Sequence, residues 1–202
     1  MCRSLCFLVL LASVLMPAAG AQSPDNNPAP GSASQQSVGG NWFAERTEQL
    51  ARNQPEDALT LAQQALAFFA DNPDPQAHGR VLNASAYALY FMGRYGESMQ
   101  HARDAELLAE QHQLSGVRAR GLMLQGNVLQ SIGEYPRAIV KYQQAVSYYR
   151  EADNQLYEGY CYNNMANTYK AAGQYQTALE YYQQYRRLAA GGDNLASAEK
   201  GT

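Results

Sequence analysis

Apolar and small residues recur at helical spacing along most of the chain, and the pattern itself repeats every 40 residues. The clearest copy spans residues 119–158, where Leu122 and Gly126 lie on one face of a first helix. A second helix comes next, and Ala138 and Tyr142 begin its apolar face. No segment shows the strict alternation of apolar and polar residues that is typical of a strand. The pattern therefore predicts an all-α chain of paired helices.

The turn between the paired helices recurs in three copies. In each copy a tyrosine follows two residues after a glycine, the glycines being Gly93, Gly133 and Gly173. Glycine ends a helix without steric cost because it adopts the left-handed conformation freely. We expect the tyrosines to wedge between the helices at Tyr95, Tyr135 and Tyr175. A fixed period of this size is typical of a stacked repeat array.

Small residues mark the places where two helices must cross closely. We number repeat positions from the first residue of the frames 79–118, 119–158 and 159–198. Position 8 is Ala86, Gly126 and Ala166, and position 20 is Ser98, Ala138 and Ala178. Residues 41–72 resemble an earlier, degenerate repeat, because their alanines fall at the same positions: Ala58, Ala62 and Ala65.

The chain begins with two segments that the pattern places outside the helical stack. Residues 1–21 have the positive start, the apolar run and the A-x-A end of a secretory signal peptide. Residues 22–40 are rich in Pro, Ser, Gly, Gln and Asn, so we expect a disordered leader there. The apolar run is too short to span a bilayer comfortably, and no membrane span is expected in the mature chain. Cys161 alone remains after export, and we expect it to be a small buried residue.

Charge and motif content argue against several classes of function. The net charge of −3 becomes −4 once Arg3 leaves with the signal, which argues against nucleic-acid binding. The chain has no G-x-S-x-G and no H-E-x-x-H, so we expect no catalytic residue, no metal and no cofactor. Glu97 and His101 share a helix face, but no third ligand accompanies them. Asn83-Ala84-Ser85 matches the sequon for N-glycosylation, but it falls in the middle of a predicted helix, which indicates a chance match.

The order small residue, apolar residue, Gly-x-Tyr, Ala, aromatic, Ala resembles the tetratricopeptide repeat. Gly126, Leu129, Gly133 and Tyr135 begin one copy, and a second begins at Ala166. The resemblance implies an α-solenoid of antiparallel helical hairpins over residues 41–192, with repeats near 79–112, 119–152 and 159–192. The period exceeds the family's ~34 residues. We therefore expect each connection between repeats to be longer by about six residues, as in the long-linker subclass of bacterial sensor proteins.

In such arrays the first helix of each hairpin lines a concave groove. The resemblance implies that the side chains at positions 2, 5, 9 and 12 point into this groove. Amides, phenols and cations occupy these positions, and they can pair with the backbone and side chains of an extended peptide. The predicted groove residues are Arg80, Asn83, Tyr87, Arg120, Asn127, Asn163, Asn164, Asn167 and Lys170. The alternative is that these are ordinary solvated polar positions.

These features predict a non-enzymatic scaffold of the cell envelope that binds a protein or peptide segment. We expect an exported chain, placed in the periplasm or, alternatively, secreted. The alternative function is the input domain of a bacterial sensor, such as a diguanylate cyclase or histidine kinase, whose output domain is absent here. Residues 193–202 are expected to form a tail in which a further helix barely begins. Self-association through the last hairpin is a further expectation, because no polar helix covers its apolar face.

Overall fold

The structure is a computed structural model that describes residues 33–199, and the side chains of residues 39–190. Within this range it contains helices and no strands, which confirms the all-α prediction. Consecutive helices pair as four antiparallel hairpins. The helices are α1 Ala33–Leu50, α2 Pro55–Asp71, α3 Pro75–Phe91, α4 Tyr95–Gln111, α5 Ser115–Ser131, α6 Tyr135–Glu151, α7 Gln155–Ala171 and α8 Tyr175–Glu199. The predicted signal peptide lies outside the described residues.

The turns inside the last three hairpins have the predicted glycine geometry. Gly93, Gly133 and Gly173 have φ values of 72°, 83° and 77°, which only glycine adopts without strain. The amide of Glu134 then donates to the carbonyl of Leu129 at 2.8 Å, which closes the end of α5. Each glycine therefore fixes where the first helix of its hairpin stops.

The connections between hairpins are short, so the prediction of longer connections is wrong. Residues 112–114 and 152–154 join α4 to α5 and α6 to α7, and these turns are no longer than the turns within hairpins. The helices from α2 to α7 are each 17 residues long. The long period therefore comes from longer helices. Gln113 and Asp153 turn the chain at φ values of 56° and 50°.

The hairpins stack so that their first helices form one layer. Along the stack, α1 contacts α3, α3 contacts α5, and α5 contacts α7. Among the described residues, the second helices α2, α4, α6 and α8 make no such contacts with one another. Because the first helices are closer together, the stack curves with α1, α3, α5 and α7 on the inside. We call the surface of these four helices the inner face.

Small residues allow the close crossings that the repeat predicts. Ala86, Gly126 and Ala166 are buried at position 8. A methyl group on Gly126 would lie 2.5 Å from the ring of Tyr142, which is fully buried. At position 20 the hydroxyl of Ser98 donates to the carbonyl of Ala86 at 2.7 Å, which ties α4 to α3.

Helix α1 begins earlier than the composition suggests. The leader was expected to be disordered through residue 40, but helix α1 starts at Ala33. Gly40 packs closely against α2 and α3, because a methyl group there would lie 2.9 Å from Asp74 and 3.3 Å from Phe69. The absence of a side chain at Gly40 permits this contact, and composition does not reveal it. Residues 22–32 lie outside the described residues.

The last helix also differs from the prediction. Residues 193–199 continue α8 as far as Glu199, whereas we expected a connection followed by a new helix. Leu195, Ala196 and Ala198 have high or moderate helix propensity, which offsets in part the low propensity of Gly191 and Gly192. Tyr175 is 71% exposed and does not wedge between helices, in contrast to the half-buried Tyr95 and Tyr135.

Candidate functional site

A pocket of about 220 Å³ lies on the inner face, where α1, α3, α5 and the end of α6 meet the start of α7. Four predicted groove residues line it: Arg80, Asn83, Tyr87 and Arg120. The structure therefore brings together side chains that lie up to 40 positions apart in the sequence. We call this cavity the Arg120 pocket.

Arg80 is held in the pocket wall by its neighbours on α1. Its guanidinium donates to both carboxylate oxygens of Glu48, at 3.1 and 2.7 Å, and to the amide oxygen of Asn41 at 2.6 Å. The hydrogen bond with Glu48 raises the pKa of Arg80, so the side chain stays charged. Because Glu48 is its ionic partner, the Arg80 charge is already neutralised.

Arg120 is held by aromatic rings. Its guanidinium carbon lies 5.6 Å from the ring centre of Tyr87 and 5.2 Å from that of Tyr157. One of its nitrogens donates to the hydroxyl of Tyr157 at 2.9 Å. Among the side chains of residues 39–190, no carboxylate forms an ion pair with it. Arg120 is therefore a half-buried cation that is positioned and not neutralised.

The side chain of Asn83 has a structural role. It is 4% exposed, and its amide nitrogen donates to the carbonyl of Val117 at 2.9 Å, which links α3 to α5. Asn83 lines the Arg120 pocket, as its predicted groove position would require. Its nitrogen, however, is not available to a ligand. Its burial within α3 also makes the sequon there inaccessible.

Sequence reasoning missed five polar or aromatic residues of this pocket, which are Glu48, Gln76, Tyr149, Asn154 and Tyr157. Tyr149 and Tyr157 stack with ring centres 5.3 Å apart. The repeat alignment carries a signal for both of them. Position 31 changes from Ala109 to Tyr149, and position 39 changes from Val117 to Tyr157. Both tyrosines therefore line the Arg120 pocket.

The asparagines beyond the pocket connect helices. The side-chain amide oxygen of Asn127 accepts from the hydroxyl of Tyr142 at 2.9 Å and from the side-chain amide nitrogen of Asn164 at 3.0 Å. The Tyr142 hydroxyl also lies 3.0 Å from the amide oxygen of Gln130. These contacts join α5 to α6 and α7 at one point. We call them the amide network.

The same pairing recurs one repeat later. The carbonyl oxygen of Asn167 accepts from the hydroxyl of Tyr182 at 2.6 Å. Asn163 is half-buried and Lys170 is exposed, and neither lines the Arg120 pocket. The predicted groove residues therefore fall into two groups, with the pocket against the starts of α5 and α7 and the asparagines further along these two helices.

The remaining titratable groups are spread over the fold. In the part of the chain whose side chains are described, no group of three or more His, Cys, Asp or Glu could hold a metal ion. Glu97 pairs with Arg94 at 2.7 Å, and burial lowers the pKa of His101. Burial raises the pKa of the Cys161 thiol to about 12, as expected for a small buried residue.

Comparison with known proteins supports the repeat assignment. Residues 118–190 match the family model of the tetratricopeptide repeat. No curated protein sequence matches the chain at a significant level. Within the described residues, no helix has the length and apolar character needed to cross a membrane.

Two solved structures share the fold. Aspartyl phosphate phosphatase F from Bacillus subtilis superposes with a TM-score of 0.70 at 16% identity, over 80% of this chain and 44% of that one. A putative kinesin light chain from Podosopora anserina, with nearly identical TPR-like repeats, gives a TM-score of 0.59 at 18% identity. That match covers 74% of each chain. The chain thus spans less than half of the first of these structures.

Proposed function

We propose that this tetratricopeptide repeat protein is a non-catalytic scaffold that binds an extended protein or peptide segment along its inner face. The observation that carries the proposal is the Arg120 pocket, in which α3, α5 and α7 each contribute a polar or aromatic side chain. Such a surface needs several helices in register, and the repeat supplies them. The family is generally a non-catalytic binding scaffold, which is consistent with this proposal.

The inner face offers chemistry that suits a peptide backbone. Tyr87 is half-buried and Tyr160 is 41% exposed, so both present apolar area together with a polar tip. Asn163 is half-buried, and its side-chain amide makes no hydrogen bond among those described for residues 39–190. This amide can donate to a backbone carbonyl of a bound segment and accept from a backbone N–H. An extended segment would meet ring surfaces first and amide donors further along.

We place this binding activity in the cell envelope. Support comes from residues 1–21, which have the features of a signal peptide. The periplasm is the proposed compartment, with secretion as the alternative. Fractionation of cells that express the full chain tests this point, and recovery in the cytosolic fraction alone would contradict it.

The binding proposal is tested with an array of random-sequence peptides long enough to span the inner face. The full chain should retain a subset of the peptides. Replacing Tyr160 and Asn163 together with alanine should weaken that retention, because both side chains lie on α7 at predicted groove positions. Leu107→Ala is the matched control, since Leu107 is 56% exposed on the second helix α4.

Two results would count against the proposal. One is that no peptide binds the wild-type chain above background. The other is that Leu107→Ala reduces retention as much as the double substitution does, since the bound surface would then include the outer helices. Circular dichroism of each variant shows whether lost binding reflects lost helix.

The alternative, an input domain of a sensor, rests on the 40-residue period. An input domain would use the same inner face, and it differs from a scaffold only in being joined to an output domain. The comparisons favour neither reading, because the low identity of the solved structures shows the fold alone.

A further inference from the structure

We propose that a groove between the second helices α4 and α6 binds a small organic anion with a compact apolar part, such as a short-chain carboxylate. This site goes beyond peptide binding along the inner face, and neither activity depends on the other. The groove has a volume of about 300 Å³, and side chains of α5 complete its lining. We call it the outer groove. Its apolar lining comes from all three helices: Met99, Leu129, Pro136 and Val140.

The charged side chains that line the outer groove are three cations, Arg103, Arg137 and Lys141. Arg137 and Lys141 lie four residues apart on α6, so they share a helix face and repel each other. Arg137 lies 3.9 Å from Glu134, but both side chains are exposed, and such an ion pair contributes little. In the part of the chain whose side chains are described, Arg103 forms no ion pair.

Lys141 has a closer counter-charge in Glu106. Its ammonium lies 3.5 Å from a carboxylate oxygen of Glu106, and the same oxygen accepts from the side-chain amide of Gln125 at 2.6 Å. Glu106 therefore shares its charge between two donors. With Glu106 and Glu134 as the recorded partners of three cations, the outer groove keeps a positive excess, although the whole chain is acidic.

The repeat provides an internal comparison, because an equivalent groove of about 290 Å³ lies between α2 and α4. Leu59 and Leu89 line it at the positions of Met99 and Leu129, so the apolar character is the same. At the three cation positions this groove has no cationic counterpart to the arginines and lysine, its residues being Gln63, Glu97 and His101. The fold thus forms the groove without those cations. Their presence between α4 and α6 is accounted for by a bound anion.

The side chains of the outer groove match both parts of such a ligand. A carboxylate pairs with two parallel donors of an arginine, and the lysine adds a mobile positive charge. The apolar lining covers the tail, because removing apolar surface from water favours binding. Val140 is 51% exposed in the free protein and becomes covered when the tail binds.

The size of the outer groove favours a small molecule over a partner helix. Residues 99–103 of α4 and 136–141 of α6 bound it, which correspond to about 6 and 8 Å of helix at about 1.5 Å per residue. A docked helix needs apolar anchors over two or more turns. The volume lies at the lower limit of the roughly 300–1,000 Å³ that is typical of small-molecule sites.

The test measures binding of hexanoate, hexanol and hexylamine to the full chain. These probes share one apolar tail and differ in charge. The methyl NMR signals of Met99, Leu129 and Val140 report on the outer groove. Hexanoate should shift these signals saturably, whereas hexanol and hexylamine should bind at least roughly tenfold more weakly.

The variants use residues that the repeat already tolerates. Arg103→Gln should weaken hexanoate binding roughly three- to tenfold, and the same position holds glutamine in the other copies: Gln63, Gln143 and Gln183. Arg46→Gln is the matched control, since Arg46 is an exposed arginine of α1 outside the groove, and it should bind as the wild-type chain does. A triple variant, Arg103→Gln with Arg137→Glu and Lys141→His, copies the groove between α2 and α4. It should lose the preference for hexanoate over hexanol while circular dichroism shows unchanged helix.

Three results would overturn the proposal. Equal binding of hexanoate and hexanol to the wild-type chain would show an apolar patch without selection for an anion. Equal weakening by Arg103→Gln and Arg46→Gln would show general attraction to positive charge. No shift of the three methyl signals at up to about 10 mM hexanoate would show that the outer groove binds no such anion. Each of these results leaves peptide retention by the inner face unaffected, so the two proposals fail separately.

Discussion

The starts and the middles of helices α5 and α7 use their polar residues in opposite ways. In the Arg120 pocket, rings hold a guanidinium whose donors are mostly unused. In the amide network, the carbonyl oxygen of Asn127 accepts two hydrogen bonds that join three helices. Arg120 and Asn127 both occupy positions for which the resemblance to tetratricopeptide arrays predicts a groove. A groove position therefore does not by itself identify a ligand-binding residue, because its hydrogen bonds decide the role.

At position 9 the role of the residue depends on the residue that packs behind it at position 24. In the α3–α4 hairpin, positions 9 and 24 are Tyr87 and Ala102, so the first residue has no phenol to accept from. In the α5–α6 hairpin they are Asn127 and Tyr142, which form a hydrogen bond. The α7–α8 hairpin repeats the Asn–Tyr pair. Where position 24 is a tyrosine, the asparagine at position 9 accepts a hydrogen bond from it and links the two helices of the hairpin.

The largest expected effect comes from removing the tyrosine of the amide network. Tyr142→Ala should lower the free energy of unfolding by about 3–5 kcal/mol, because it leaves a cavity in the core and removes the phenol that Asn127 accepts from. Urea denaturation followed by circular dichroism measures the change. A loss below about 1 kcal/mol would show that the network is not structural, and the comparison would fail.

The second test enlarges the residue at position 8 in the presence and in the absence of the tyrosine at position 24. Gly126→Ala should destabilise the wild-type chain by about 1–3 kcal/mol, since its methyl group would lie 2.5 Å from the Tyr142 ring. In a Tyr142→Ala background the same change should stabilise, because alanine favours helix over glycine. The α3–α4 hairpin already combines Ala86 with Ala102. The same sign of effect in both backgrounds would contradict the close packing described here.

The sequence predicted the helices, their pairing and the small residues because these depend on periodicity and local propensity. It assigns Arg80, Tyr87 and Arg120 to groove positions, and in the structure these residues line the Arg120 pocket. It did not separate Asn127 and Asn167 from them, because a hydrogen bond to a residue 15 positions away leaves no periodic signal. Tyr149 and Tyr157 were missed because each departs from the residue at its own repeat position. The early start of α1 was missed because helix extension needs no apolar residues.

A smaller effect is expected for the link between α5 and α7. Asn127→Ala should lower the free energy of unfolding by about 1–2 kcal/mol, because the Asn164 amide loses its acceptor while the Tyr142 hydroxyl keeps Gln130. Chemical denaturation gives the value. Asn163→Ala is the matched control, since Asn163 has no side-chain hydrogen bond among those described for residues 39–190, and it should change stability less. Equal losses for the two variants would argue against a special role for Asn127.

The smallest effect is expected at the last turn. Tyr175→Ala should change the free energy of unfolding by no more than about 0.5 kcal/mol, because the side chain is 71% exposed. Tyr135→Ala, at the same repeat position but half-buried, should cost more. Thermal denaturation of the pair measures the difference. If Tyr175→Ala destabilises the chain more than Tyr135→Ala does, the described environment of the last turn is wrong.

The most direct test of the central claim compares Arg120→Gln with Asn127→Ala on the peptides that the wild-type chain retains, at a temperature where all three proteins are folded. Arg120→Gln should lose roughly ten- to hundredfold in affinity, because it removes the free cation of the pocket. Asn127→Ala should change affinity by less than about threefold, because its carbonyl oxygen serves the fold. The reverse order, with Asn127→Ala losing binding and Arg120→Gln retaining it, would contradict the account.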